Sequence, residues 1–436
     1  MGASAAFAQL GLLGAHAQSS AGDYKALVCI FLIGGNDSNN CVIPYDADGF
    51  AAYSSARRVL GLNKTTVVPL TEPDGSARFG LHPALSQLKS VWQAGDLAVL
   101  FNTGPLLQPL TREEFLANSV ARPRGLFSHP DQQRQWQTGG GAAAATTGWG
   151  GRIAEAVAGL NPMSAVPAML SVGSGDVFIT GKTSRALALP ISGSFGLGGA
   201  DDSPAARARM TALGQLLGLD QQSELVASAQ EVTRAALEQR AILDPILTGS
   251  SASATFFKNL NSNISRQLHT VAKVVQHREL LGVRRQVFFI GLGSFDTHVD
   301  QTATHSLLLS QLGPALQAFH SSLVALGANE LVTSFTLSDF NRTLRPNTSG
   351  GTDHAWGGHH FIMGGAVQGR SYYGTFPRLQ LAGPDDASGE GRWIPTSSVD
   401  QYAATLASWF GVEPQQLAEV LPNLRGFAQP TLGFMR

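Results

Sequence analysis

Apolar positions along this chain fall into two patterns: short unbroken runs that end in glycine, and longer stretches that repeat every three to four residues. The first run, Ala26-Leu27-Val28-Cys29-Ile30-Phe31-Leu32-Ile33, is rich in branched residues and stopped by Gly34-Gly35. It predicts a buried strand over 26–33. A helical stretch over 82–95 leads to a second run, 97–101, closed by Asn102-Thr103-Gly104-Pro105. Further strands are predicted over 168–172, 286–290, 331–337 and, briefly, 361–363. Helices are predicted over 152–160, 305–326 and 399–410, the last introduced by Thr396-Ser397-Ser398 with N-cap chemistry. Residues 139–148 are only Gly, Ala and Thr and read as a loop. Residues 182–200 read as loops with short strands.

Residues 203–285 differ in character. They are rich in Ala, Leu, Gln and Glu with few glycines, and predict two or three helices inserted between strands. Strands alternating with helices imply an α/β fold with a mostly parallel sheet. No internal repeat is visible. The 436 residues suffice for one large core, so a single domain over 18–436 with a helical excursion near 203–285 is expected.

Composition narrows the function classes. Charged residues make up 14% of the chain and hydrophobic ones 43%, with 49 glycines, which is a folded composition with many turns. Thirty basic residues against 31 acidic ones leave a net charge of -1. Such a chain has no global field to draw in nucleic acid or an anionic membrane. No uninterrupted apolar stretch of about 20 residues exists, so no integral membrane segment is expected. Two cysteines, Cys29 and Cys41, exclude a disulfide-stapled scaffold and a thiolate metal cluster. Cys29 reads as a small buried hydrophobe; a Cys29–Cys41 bridge stays open.

The first residues carry a further expectation. Met1 to Leu13 is small and apolar, followed by Ala15-His16-Ala17 and polar Gln18-Ser19-Ser20. Residues 1–17 read as the remnant of an export signal, although no Lys or Arg precedes the apolar part. The mature chain would start near Gln18 and be periplasmic or secreted. The competing reading is an ordinary first helix of the fold.

In a parallel α/β sheet the ligand site lies at the carboxyl ends of the strands. Three predicted strand ends carry an acid: Gly34-Gly35-Asn36-Asp37, Ser294-Phe295-Asp296-Thr297-His298, and Ser338-Asp339-Phe340-Asn341-Arg342. Asp353-His354-Ala355-Trp356-Gly357-Gly358-His359-His360 follows shortly after. Each acid alone fits a turn or helix cap. Four Asp/His groups at corresponding places predict an oxygen and nitrogen donor set for a divalent ion, Zn²⁺ or Mn²⁺ first and Ca²⁺ next. Arg342 is placed to clamp an oxyanion or to pair with a neighbouring carboxylate. Ser128, in Phe127-Ser128-His129-Pro130-Asp131, reads equally as the N-cap of a helix and as a nucleophile or anion-binding residue. His129 beside it is a ligand or proton-donor candidate. No G-x-S-x-G elbow, Walker loop or complete G-x-G-x-x-G is present, which counts against serine-hydrolase triads and nucleotide binding.

The segments Phe31-Leu32-Ile33-Gly34-Gly35-Asn36-Asp37, Ser128-His129, Phe295-Asp296-Thr297-His298, Ser338-Asp339-Phe340-Asn341-Arg342, Gly351-Thr352-Asp353-His354 and Trp393 to Asp400 together resemble the exported bacterial family labelled domain of unknown function 1501. Members usually carry a twin-arginine export signal. That family is similar to the alkaline phosphatase and sulfatase superfamily. The resemblance implies an alkaline-phosphatase-like central sheet flanked by helices, a metal centre, and hydrolysis of phosphate or sulfate esters. By chain order it implies metal ligands at Asp37, Asp296, His298, Asp339 and His354, with Ser128 in the nucleophile's place. Two departures stand out. Phe340 replaces the imidazole of an Asp-His pair, and Asp296 and His298 are only two residues apart. A second ion is then lost or held by a remodelled set that includes His129, His359 or His360. The C/S-x-P-x-R segment of strict sulfatases has no counterpart around Ser128.

The expectation is an exported metal-dependent hydrolase of a small-molecule or polymer-borne phosphate or sulfate ester. Ser128, His129 and Arg342 are its catalytic candidates. The alternative is an exported binding or assembly protein on the same fold with a degenerate metal site.

Overall fold

The computed structural model describes residues 23–139, 146–173, 175–196, 203–219 and 223–436. Twelve strands lie among them, in chain order β1 (Lys25–Leu32), β2 (Val42–Pro44), β3 (Val68–Pro69), β4 (Phe79–Leu81), β5 (Leu97–Gly104), β6 (Met169–Val172), β7 (Leu187–Leu189), β8 (Arg285–Leu292), β9 (Val332–Ser338), β10 (Gly358–Met363), β11 (Ser371–Tyr373) and β12 (Ser397–Ser398). Nine form the main sheet in the order β11-β5-β10-β9-β1-β8-β6-β7, with β12 beside β5; β2, β4 and β3 form a small second sheet. Only β10 breaks the parallel arrangement, running antiparallel to both β5 and β9. This is the mixed, mostly parallel sheet flanked by helices that the sequence implied.

The unbroken apolar run of β1 has a physical cause: both of its faces are covered. Ala26, Val28, Ile30 and Leu32 face a core layer with the helices Leu88–Ala94, Asn263–Gln276 and Gln301–Ala325. Leu27, Cys29 and Phe31 face the opposite layer, with the helices Trp149–Ala156 and Val399–Phe410. Each large side chain so buried contributes roughly 1.5–3 kcal/mol. Both cysteines are free and buried. Cys29 lies in one layer and Cys41 in the other.

The predicted strands and helices form, with shifted edges. The last short strand begins at Gly358 rather than Phe361, because polar His359 and His360 hide its start. The predicted helix over 82–95 divides into a turn at Pro83–Leu85 and the helix Leu88–Ala94. Ser398 caps Val399–Phe410 through a reciprocal box with Gln401. Among its described residues the helical stretch holds five helices, not two or three: Pro204–Leu217, Glu224–Thr248, Ala254–Phe257, Asn263–Gln276 and Arg278–Leu281. The first two bury little, whereas Asn263–Gln276 packs its apolar face into the core under the sheet. Residues 1–17, read as an export signal, and parts of the loops predicted over 139–148 and 182–200 lie outside the described residues.

The sheet positions the site. β9, β1 and β8 are adjacent and parallel, with Leu32 level with both Leu292 and Ser338. Their carboxyl ends therefore deliver Gly34, Asp296 and Asp339 to one place. Gly34 and Gly35 take positive φ values of 112° and 82°, and a Cβ on either would collide with the Phe295–Asp296 backbone or the Phe340 ring.

Candidate metal centre

Three imidazoles converge on one carboxylate. The Nε2 atoms of His298, His129 and His354 lie 3.1, 3.4 and 3.5 Å from Asp296 Oδ1. Each ring is pinned from behind by its other nitrogen. His129 Nδ1 is 2.7 Å from Asp339 Oδ2, His298 Nδ1 is 3.1 Å from Asp353 Oδ1, and His354 Nδ1 is 2.7 Å from the Phe127 carbonyl oxygen. Carboxylates and carbonyls accept, so all three Nδ1 atoms carry hydrogen, and in the neutral rings the three Nε2 atoms then present lone pairs inward. His298 Nε2 and His354 Nε2 are 2.9 Å apart. Two lone pairs at that separation repel unless a cation shares them.

The donor set fits a metal ion. Ligands about 2.1 Å from a tetrahedral ion lie about 3.4 Å from one another, close to the spacings around Asp296. His129 Nε2 is buried without a hydrogen-bond partner. Three imidazoles and one carboxylate suit Zn²⁺ or Mn²⁺ and disfavour Ca²⁺, which takes oxygen ligands.

Local structure explains how each group arrives. His129 opens the helix His129–Thr138. Gln133, one turn on, donates to Asp339 Oδ2 at 2.6 Å beside His129, and the Gly34 N–H donates to Asp339 Oδ1 at 2.9 Å. Asp339 is thus a fully buried anchor behind His129. Arg342 pairs across an antiparallel bridge with His354, which sets the Asp339 and Asp353 segments side by side. Phe340 forms the wall: its ring stacks on His354 at 4.6 Å and lies 4.7 Å from His129.

Electrostatics follow from these contacts. The hydrogen bond that His129 donates to Asp339 raises the His129 pKa, and burial lowers that of His354. Burial pushes Asp296 up, but the Arg342 guanidinium and the flanking histidines outweigh it and hold the carboxyl below its usual range.

The structure brings Asp296, His298, His354 and His129 together, with Asp339 one shell out. It does not bring Asp37 to them. Asp37 is fully buried against the Arg57 guanidinium, with Gln301 as a second donor. Ser128 stands at the helix N-cap position, but its hydroxyl donates to Asp131 Oδ2 at 2.6 Å instead of capping. Arg342 has no free fork for an oxyanion. Its Nε donates to the Gly35 carbonyl at 2.9 Å, its Nη1 to the Thr352 carbonyl at 3.2 Å, and its Nη2 to Gly34 and Asp296. His359 and His360 point into the core, against Phe101 and Trp136 respectively. Sequence reasoning gave no role to Asp353, Gln133, Arg57 or the Phe127 carbonyl. Gln133 was findable as the residue one turn after His129; Arg57 and the carbonyl leave no local signal.

The fold and site define an α/β protein with a two-histidine, one-carboxylate donor group, His129, His354 and Asp296, at the carboxyl edge of its sheet, with His298 beside it. The chain belongs to the family described as Protein of unknown function (DUF1501), whose model matches residues 24–388. No curated protein matches it. Solved structures to which the chain is similar include i-CgsB in complex with k-i-k-neocarrahexaose, at 8% identity and a TM-score of 0.36, covering 92% of this chain and 75% of that one. The lipoteichoic acid synthase LtaP from Listeria monocytogenes aligns at 7% identity and a TM-score of 0.35, covering 90% and 74%. The C-terminal periplasmic domain of EptC from Escherichia coli, in complex with Zn, aligns at 9% identity and 0.36, covering 95% and 93%. At these values the likeness carries no argument about activity, which rests on the site's own residues.

Proposed function

We propose that this protein is a metal-dependent hydrolase of a phosphate or sulfate ester. The observation that carries the reading is the convergence of three Nε2 atoms on Asp296 Oδ1 with every Nδ1 already bonded behind. His129, His298, His354 and Asp296 would hold one divalent ion, Zn²⁺ or Mn²⁺. When bound, such an ion polarises an ester oxygen and lowers the pKa of a nucleophile. The protein's own residues orient and shield. Asp339 and Asp353 fix two imidazole tautomers, Phe340 excludes water from one side, and Arg342 supplies a fixed positive charge beside Asp296. Ser128 is the candidate nucleophile: its oxygen would bond to the ester phosphorus or sulfur as the bond to the leaving alcohol oxygen breaks, its own proton passing to the Asp131 carboxylate that already accepts its hydrogen bond and the departing alkoxide taking a proton from water.

A specific observation favours the second reading, a binding or assembly protein. Asp37 is neutralised by Arg57, and Phe340 stands where the resemblance expects an imidazole. Both remove donors for a second ion. Export to the periplasm or beyond is part of the proposal and rests on residues 1–17; fractionation of cells expressing the full chain tests it.

The deciding experiment is hydrolysis of 4-nitrophenyl phosphate and 4-nitrophenyl sulfate by the metal-loaded chain, with Asp296→Asn and Ser128→Ala beside it. Turnover lost in both variants, with ion content kept in Ser128→Ala, supports the hydrolase. No turnover of either ester with Zn²⁺ or Mn²⁺ bound favours the binding protein.

A further inference from the structure

A groove of about 740 Å³ runs along residues 118–127, with Phe115 on its wall. This loop joins the helix Arg112–Ala117 to the helix that begins at His129. All formal charge in the lining is positive: Arg122 and Arg124, with no Asp or Glu. The Arg122 guanidinium lies 4.7 Å over the Phe115 ring and donates once, to the Phe115 carbonyl. Arg124 is exposed. By contrast, Arg78 and Arg378, also exposed, pair with Glu72 and Asp385, each at 2.6 Å. The acids flanking the loop at equal distance are both engaged: Glu114 accepts from the Thr111 N–H and hydroxyl, and Asp131 packs against Gly125 and accepts from the Ser128 hydroxyl.

The groove adjoins the metal centre through Phe127. That residue lines the groove, and its carbonyl holds His354 Nδ1 at 2.7 Å. Arg392 reaches the same place, with its guanidinium 5.1 Å over the Phe127 ring and its Nε donating to the His354 carbonyl at 2.7 Å, but its Nη1 is paired with Glu390 at 2.8 Å, so the subsite's charge comes from Arg122 and Arg124. Guanidinium groups that keep unused donors beside aromatic walls bind flat or clustered anionic groups bidentately.

We infer that this groove is an anion subsite. It takes a second negatively charged group of the substrate, carried on a part of the molecule other than the ester at the metal centre. The preferred substrate is thereby at least doubly anionic, and the loop 118–127 selects it. The purpose of the subsite rests on the hydrolase reading; its binding does not.

The test is calorimetric titration of the full chain with sucrose octasulfate, a dense non-chelating sulfate ester, with and without bound Zn²⁺. The partners are Arg122→Gln/Arg124→Gln and the single Arg124→Gln, whose exposed side chain keeps the fold. Binding should survive metal removal, weaken as salt screens it, and fall at least tenfold in the double variant and several-fold in the single one. Affinity unchanged in both variants, or lost with the metal alone, overturns the subsite. Metal-independent binding that needs the arginines, in a chain that hydrolyses no ester, keeps the subsite and refutes the hydrolase reading. Ester turnover with affinity untouched by the variants does the reverse.

Discussion

His298 and His354 face each other Nε2 to Nε2 at 2.9 Å while Asp353 and the Phe127 carbonyl occupy their far nitrogens. Two neutral rings in these tautomers do not attract. The contact makes physical sense when a cation stands between them, so the site's chemistry is organised around an ion or a shared proton. His129 and Asp296 close the remaining sides.

Asp339 acts through His129. It fixes the ring's tautomer and is itself fixed by Gln133 and Gly34. Asp339→Asn keeps the shape but removes the charge and one of the two acceptor oxygens that Gly34, His129 and Gln133 share. Metal affinity is expected to fall by roughly 10–100-fold, measured by competition with a zinc chelator. Affinity within a factor of two of wild type would contradict this role.

Phe340 tests how many ions the site takes. Phe340→His restores the imidazole that the resemblance expects, yet Asp37 stays committed to Arg57 and Asp339 to His129. Elemental analysis should find the ion count per chain unchanged. Phe340→Ala should cost roughly 3–5 kcal/mol of stability by denaturant unfolding, because the ring is buried against His129 and His354. An added ion in Phe340→His would show that a second site survives.

Asp400, in the first turn of Val399–Phe410, is pushed up to about 6 by burial, with Asn423 and Arg152 opposing only in part. A carboxyl with a raised folded pKa penalises the folded state progressively as pH rises from the unfolded value of about 3.9 to the folded one, and fully above it. Asp400→Asn should therefore stabilise the protein at pH 8, by about 1–2 kcal/mol, and change little at pH 4. Thermal unfolding at the two pH values measures it; an equal effect at both would mean that charge is not the cause.

Acid should weaken the metal-free protein. Burial holds His82 and His305 down to about 4, and His359 and His360 to about 3. Their unfolded forms take up protons near the ordinary value of about 6.5. Their stability is then fully present above that value and lost as pH falls toward 4. His129 and Asp400 run the other way, both raised, but the depressed histidines outnumber them. The urea midpoint should drop between pH 6.5 and 4.5, and drop less in His305→Gln. A midpoint that rises on acidification would contradict the sign.

Much of this was readable in the chain. The apolar runs of β1, β5, β8 and β9 announced a sheet buried on both faces, and the acids after them marked its working edge. Asp296, His298 and His354 could be grouped because strand ends in a parallel sheet share one side. Asp37 was not separable from them by sequence, since its fate depends on Arg57, which reaches it from another element. The same limit hid the commitment of Arg342 to three carbonyls. A guanidinium looks equally free and equally bound in a sequence. His359 and His360 looked like ligands because polar residues in a short strand resemble a loop. Only the packing of Phe101 and Trp136 around them reveals core positions.

The central claim is a single ion on His129, His298, His354 and Asp296. Elemental analysis of the purified full chain after saturation with Zn²⁺ and removal of excess tests it most directly. The account predicts one ion per chain, falling to none in the His298→Ala/His354→Ala double variant. No ion in the wild type, or one retained by the double variant, would contradict it.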